Sequence, residues 1–101
     1  SIASDLMKEV WKLQGDKVIR HKFDLGMDHL LSGRVEEASD VFEEAVRLDP
    51  DYAEAWNKLS TCQFMMGNLE SSMKYAKKCL ALIPTHYSAM NGLGLIMIEE
   101  G

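Results

Sequence analysis

Apolar residues recur along this chain at intervals of three and four, and no segment alternates apolar with polar as a half-buried strand would, so the chain reads as a series of amphipathic helices. The spacing predicts helices over residues 4–14, 17–32, 35–48, 53–66, 69–82 and 87–100. Their punctuation has physical causes. Gly33 and Gly67 divide apolar-periodic stretches of equal length, and Pro50 ends the helix before it because proline cannot continue one. Asp51, with Glu54 three residues on, has the spacing of a capping box at the start of the next helix.

Sliding the sequence against itself brings this punctuation into line at an offset of 34 residues. Leu25 falls on Leu59 and Leu93, Gly33 on Gly67 and Gly101, Glu36 on Glu70, Leu48 on Leu82, and Pro50 on Pro84; Gly26, Ser60 and Gly94 form a series of small residues. Each period is therefore a helical hairpin with a glycine at its turn. Trp56-x-x-Leu59-Ser60 in the second unit, and Gly26, Gly33, Ala38, Phe42, Ala45 and Asp49-Pro50 in the first, resemble the signature of the tetratricopeptide-repeat family. Departures occur at Lys22, His29, Gln63, Ser72 and Cys79, where aromatic, tyrosine or alanine residues are usual; the replacements are small or amphipathic. The resemblance implies an all-α, right-handed α-solenoid of antiparallel hairpins. Residues 1–15 would form an N-terminal capping helix, 19–52 and 53–86 two repeats, and 87–101 the first helix of an incomplete third.

Two further expectations follow from the stacking of units. Small residues at Gly26, Ser60 and Gly94, facing Ala38 and Ser72, would let paired helices approach closely. Asp40, Glu43 and Glu44 shift by 34 onto Lys74, Lys77 and Lys78, so an acidic second helix would lie beside a basic one and help set register. The ends differ from the repeats. Leu6, Met7, Val10 and Trp11 line a broad apolar stripe on a short first helix, expected either to lie on residues 17–32 as a cap or to reach into another subunit. Leu93, Ile96, Met97 and Ile98 would lack a covering second helix.

Composition narrows the function. Eleven Lys and Arg against sixteen Asp and Glu give a net charge of −5, which offers no basic surface for a phosphate backbone, and so no nucleic-acid partner is expected. The longest apolar run, residues 93–98, falls far short of the roughly 20 residues of a membrane span. Cys62 and Cys79 have neither disulfide-framework nor metal-finger spacing and read as buried free thiols, which favours a reducing intracellular compartment, cytoplasm or organelle. The chain opens on Ser1 with no charged segment leading into an apolar one, as expected of a processed or excised form.

Catalytic and metal motifs are not found: there is no GxSxG, HExxH or P-loop, and no cysteine has a histidine placed to activate it. His21 and His29 lie two helical turns apart, too far to share a metal, and Glu36-Glu37 and Glu43-Glu44 read as a helix start and a solvated face. Gly92-x-Gly94 begins like a dinucleotide fingerprint, but Met97 stands where the last glycine belongs and no strand precedes it, so it reads as helix packing. No cofactor, metal or catalytic residue is expected.

What the resemblance implies is a non-catalytic protein-protein interaction module, one piece of a larger scaffold, that holds a helical or extended apolar segment of another protein on its concave side. The lining would be Arg20, Phe23, Asp24, Met27, Asn57, Lys58, Thr61, Met65, Asn91 and Leu95, with Leu30, Phe64, Ser88 and Ile98 beside them. Members that grip the acidic carboxyl tail of chaperones present Lys, Asn and Arg at five inner places; here those hold Phe23, Met27, Lys58, Ser88 and Gly92, so that ligand is not expected. The alternative function is self-association through Leu6 and Trp11 at one end, or Ile96 and Ile98 at the other.

Overall fold

The computed structural model describes residues 1–100 as five helices: α1 (Ile2–Leu31), α2 (Val35–Leu48), α3 (Ala53–Met65), α4 (Leu69–Leu82) and α5 (Tyr87–Glu100). Gly101, the third glycine of the repeating series, lies outside the described residues. Packing follows chain order: α1 on α2, α2 on α3, α3 on α4, α4 on α5, with α3 also touching α5. The result is an elongated stack of 58 × 29 × 17 Å.

The hairpin turns are set by backbone chemistry. Gly33 and Gly67 have φ of 79° and 83°, a left-handed conformation that glycine adopts without a Cβ penalty. At each, the last turn closes by a pair of bonds: Arg34 N–H to His29 C=O at 2.8 Å with Gly33 N–H to Leu30 C=O at 3.1 Å, and Asn68 N–H to Gln63 C=O at 2.9 Å with Gly67 N–H to Phe64 C=O at 3.0 Å. Asp49 and Ile83 turn extended just before Pro50 and Pro84, as the proline ring requires of its predecessor.

One core cluster joins α1, α2 and α3, with Ala38, Phe42, Ala45, Val46, Ala55, Leu59 and Cys62 buried, and Phe23, Met27 and Leu30 of α1 packed against it. A smaller cluster of Ala53, Cys79 and Ala89 ties α3, α4 and α5 together. The small-residue expectation is met in two different ways. A Cβ on Gly26 would stand 2.7 Å from the Phe42 ring, so only glycine admits the aromatic. In the second hairpin Ser60 and Ser72 each donate a hydroxyl hydrogen bond of 2.7 Å to the other's carbonyl, replacing an apolar contact with a satisfied polar one. Gly94 departs from the series: nothing lies within 4 Å of its Cβ position, nor of that of Gly92, so among the described residues neither serves helix packing.

Four other expectations are corrected. Residues 4–14 and 17–32 do not form two helices; α1 runs unbroken through Gly15 for 30 residues, so its first half does not fold back as a cap. At 100° per residue, the charged side chains Asp5, Lys8, Lys12 and Asp16 lie on the face that further along carries Phe23, Gly26 and Leu30, and the apolar stripe points to the opposite side. The first half therefore has no apolar face to lay on α2. Asp51 does not cap α3: the helix starts after Tyr52 with no side-chain cap bond, and Glu54 reaches instead to His86. The acidic and basic second helices do not pair. Glu44 takes Lys22 of α1 at 2.7 Å, Glu43 takes Arg47 of its own helix at 3.9 Å, and Lys74 and Lys78 lie over Tyr75 and Trp56 at 5.9 and 5.8 Å from the ring centres. Finally, Ile96 is 1% exposed and belongs to the interior, so it is not available to an external partner.

Cys62 and Cys79 are free and fully buried. Burial pushes the Cys62 thiol up to about 11, and raises that of Cys79 as well. Both are therefore expected to resist iodoacetamide at neutral pH in the folded protein and to react once it is unfolded in denaturant; mass spectrometry of the alkylated chain reads the difference. Rapid labelling of either in the native state would contradict this packing.

Candidate functional site

The first helices α3 and α5 lie side by side over the seam with α4, and a cleft of about 110 Å³ opens between them. Asn57, Thr61 and Phe64 of α3 form one wall, Ser88, Gly92 and Leu95 of α5 the other, and the buried Ser60 and Ser72 pair lies at the base. Cofactor and drug-sized pockets run about 300 to 1,000 Å³. This cleft has room for a single side chain.

Its polar groups are held in place by one another. Asn57 is 4% exposed and donates through Nδ2 to Ser88 Oγ at 3.2 Å, while the Thr61 hydroxyl donates to the Asn57 carbonyl at 3.1 Å. No charged side chain lines the cleft. A charged ligand group would lose water there without gaining a counter-ion, so the chemistry favours an apolar or neutral one.

The α5 wall is fixed at its start by His86. Its Nδ1 accepts the Ala89 N–H at 3.1 Å and its carbonyl accepts that of Met90, which makes it the N-cap of α5. With Nδ1 accepting, the ring proton sits on Nε2 and is donated to Glu54 Oε2, 2.7 Å away on α3. Burial raises the Glu54 carboxyl, but the hydrogen bond from His86, with the Asn57 amide and the Lys58 charge nearby, outweighs that and holds it below the ordinary carboxylate value. The stabilisation is thus present above that value and fades as pH falls through the lowered one; with the Glu54 side chain 45% exposed it is modest. His86→Ala is expected to cost about 1 kcal/mol and to raise hydrogen exchange in α5 before the other helices, whereas His86→Asn, which can still cap, stays near wild type. Equal exchange in both variants would remove the capping role.

Of the residues expected from sequence to line the groove, the structure brings Asn57, Thr61 and Leu95 to this cleft. Phe23 and Met27 pack on the core, Phe23 with ring centres 5.5 Å from Phe42 and 5.3 Å from Tyr52. Arg20 and Asp24 are exposed on α1, Met65 and Asn91 are exposed outside the cleft, and Lys58 leans toward Glu54 at 3.9 Å. Ile98, Leu6 and Trp11 are exposed at the two ends. A second, wider cleft of about 430 Å³ on the outer side went unforeseen: Glu43 and Arg47 of α2 face Lys74, Tyr75 and Lys78 of α4 across Trp56. The shift of 34 from Glu43 to Lys77 signalled the adjacency of α2 and α4, but not that they would stand apart.

Among the described residues no group of three or more His, Cys, Asp or Glu could hold a metal, and no helix is long and apolar enough to cross a membrane. Two repeat models match the sequence, the TPR repeat over residues 28–67 and the tetratricopeptide repeat over residues 53–86. The chain belongs to the tetratricopeptide-repeat family. A TPR repeat-containing protein of Rhizobium etli is 34% identical over the whole chain, which spans 49% of that protein. The peroxisomal targeting signal receptor of Yarrowia lipolytica is 31% identical over 78% of the chain, which spans 13% of the receptor. The crystal structure of MamA superimposes with a TM-score of 0.80 at 23% identity, covering 82% of this chain and 48% of that one, and shows the same helical-solenoid fold. The tetratricopeptide repeats mark the chain as a protein-protein interaction module.

Proposed function

We propose that this tetratricopeptide-repeat chain is a non-catalytic module that holds an apolar segment of another protein along the inner face of its first helices, with one side chain of that segment entering the cleft between α3 and α5. The observation that carries the reading is Gly92. Glycine inside a helix costs about 1 kcal/mol relative to alanine, and no packing contact at Gly92 demands it, yet it lines the cleft, where any side chain would take up some of the open space. Leu95, 55% exposed at the cleft mouth, supplies apolar contact, and the neutral lining suits a peptide without charge at that point. The relatives spanned only in part, a peroxisomal targeting signal receptor among them, support a protein ligand in general and name none for this chain.

A phage-displayed random peptide library panned on the chain tests this. Enriched peptides are expected to carry an apolar residue, to bind wild type, and to lose at least tenfold in affinity on Leu95→Glu. Gly92→Ala should raise thermal stability by about 1 kcal/mol while weakening the same peptides. A library that yields no binder, or binders indifferent to both changes, would overturn the reading. An acidic carboxyl-terminal peptide of the chaperone type is expected not to bind; tight, salt-sensitive affinity for one would count equally against it.

A further inference from the structure

The hydrogen bonds at the base of the cleft between α3 and α5 are closed among its own residues. Ser60 and Ser72 donate their hydroxyls to each other's carbonyls at 2.7 Å, Thr61 donates to the Asn57 carbonyl at 3.1 Å, and Asn57 donates an amide hydrogen to Ser88 Oγ at 3.2 Å. Among the described residues no buried side-chain nitrogen or oxygen lacks a partner. Ser88 is exposed at the mouth, so its own hydroxyl stays within reach of water. A carboxylate pushed to the base would give up its hydration and find no donor there, whereas an apolar group leaves every one of these bonds intact.

Size narrows the class of that apolar group. The space is about 110 Å³, less than the roughly 150 Å³ of a buried apolar cavity that takes up benzene. An aromatic ring would therefore stay partly in water, while an alanine methyl would leave most of the space empty. Two residues on opposite walls set this width. Gly92 brings no side chain to the α5 wall, and the half-buried Phe64 ring closes the α3 wall. The outer cleft at Trp56 is built differently: at about 430 Å³ it has room for a ring, and charged side chains line it.

Building on the groove reading above, we infer that the cleft between α3 and α5 selects an aliphatic side chain of the size of valine, leucine or isoleucine, and that Gly92 and Phe64 determine this preference. The partner segment then presents such a residue as its anchor. Each methylene moved from water into the cleft changes affinity by roughly fourfold when fully buried, so the class of the anchor is measurable in binding.

The test uses a peptide that was selected on the whole chain and loses affinity on Leu95→Glu. Its anchor is the position where truncation to alanine costs most, and that position is replaced in turn by valine, leucine, isoleucine, phenylalanine, tryptophan and aspartate. Fluorescence anisotropy with wild type is expected to rank the three aliphatic residues first, with alanine, the two aromatics and aspartate each weaker by roughly tenfold or more. In Gly92→Ala valine is expected to overtake leucine, and in Phe64→Ala phenylalanine is expected to match or pass leucine. Circular dichroism checks that both variants fold. Nothing lies within 4 Å of the Cβ position of Gly92, so that variant decides alone if Phe64→Ala unfolds. Phenylalanine or tryptophan bound by wild type as tightly as leucine, as the wider outer cleft would allow, would overturn the inference and leave the groove reading standing. A ranking unchanged in Gly92→Ala would do the same. If no selected peptide responds to Leu95→Glu, the groove reading falls and this inference falls with it.

Discussion

Phe42→Ala is expected to lower the unfolding free energy by about 3 to 5 kcal/mol, among the largest losses any single truncation in this chain should produce. Phe42 is fully buried at the meeting of three helices: its ring lies over Gly26 of α1, touches Phe23, and packs in the cluster that includes Ala55, Leu59 and Cys62 of α3. Removing it leaves a cavity that α1 cannot fill by moving inward, because α1 is already in contact at Gly26. In a stack whose units hold only their neighbours, losing the first seam should also loosen α1 while leaving α3 to α5 paired. Urea unfolding followed by circular dichroism measures the loss, and hydrogen exchange shows where it falls. A loss under about 1 kcal/mol, the size of a surface change, would mean that the three-helix cluster is not the main source of stability.

The second large effect comes from the other side of the same contact. Gly26→Val is expected to cost about 3 kcal/mol, because its Cβ alone would sit 2.7 Å from a ring with nowhere to go, and the added methyl groups deepen the overlap. The contrast within the molecule makes this specific: Gly92 and Gly94, also inside a helix, have open space at their Cβ positions and should accept alanine with a gain. Since Gly26 and Phe42 touch, their substitutions should not add. Gly26→Ala is expected to be partly rescued by Phe42→Leu, with a coupling of about 1 kcal/mol in a double-mutant cycle. Strict additivity would place the two residues apart.

The sequence carried the repeating architecture because its signals are local: glycine at a left-handed turn, proline after an extended residue, and apolar spacing of three and four. The helices α2, α4 and α5 end where that spacing places them, and Ala38, Phe42 and Leu59 are buried as the pattern required. What it did not carry depends on which face meets which. Gly15 reads as a break, yet with nothing near it a glycine merely weakens a helix that its flanks continue, and so α1 runs through. Asp51 had the spacing of a cap, but α3 starts after Tyr52 with no side-chain cap bond, and Glu54 bonds to His86 at the start of α5. Ile96 reads as exposed from periodicity because no second helix follows α5 in the sequence, whereas contact of α5 with both α3 and α4 covers it.

The candidate cleft was legible only in part. Asn57, Thr61 and Leu95 sit on first helices at matching heights and meet across one seam, whereas Phe23 and Met27 turn into the core because Phe42 and Tyr52 offer them more apolar surface than the groove does. Periodicity alone does not distinguish those two environments, since both call for an apolar residue on the same half of a helix.

Amide chemical shifts of isotope-labelled protein, followed while a peptide selected on the chain is titrated in, locate the binding surface. Changes are expected to centre on Thr61, Phe64, Ser88, Gly92 and Leu95, with saturation lost in Leu95→Glu. Changes centred on Glu43, Tyr75 and Lys78 of the outer cleft, with the α3 and α5 seam silent, would contradict the groove reading.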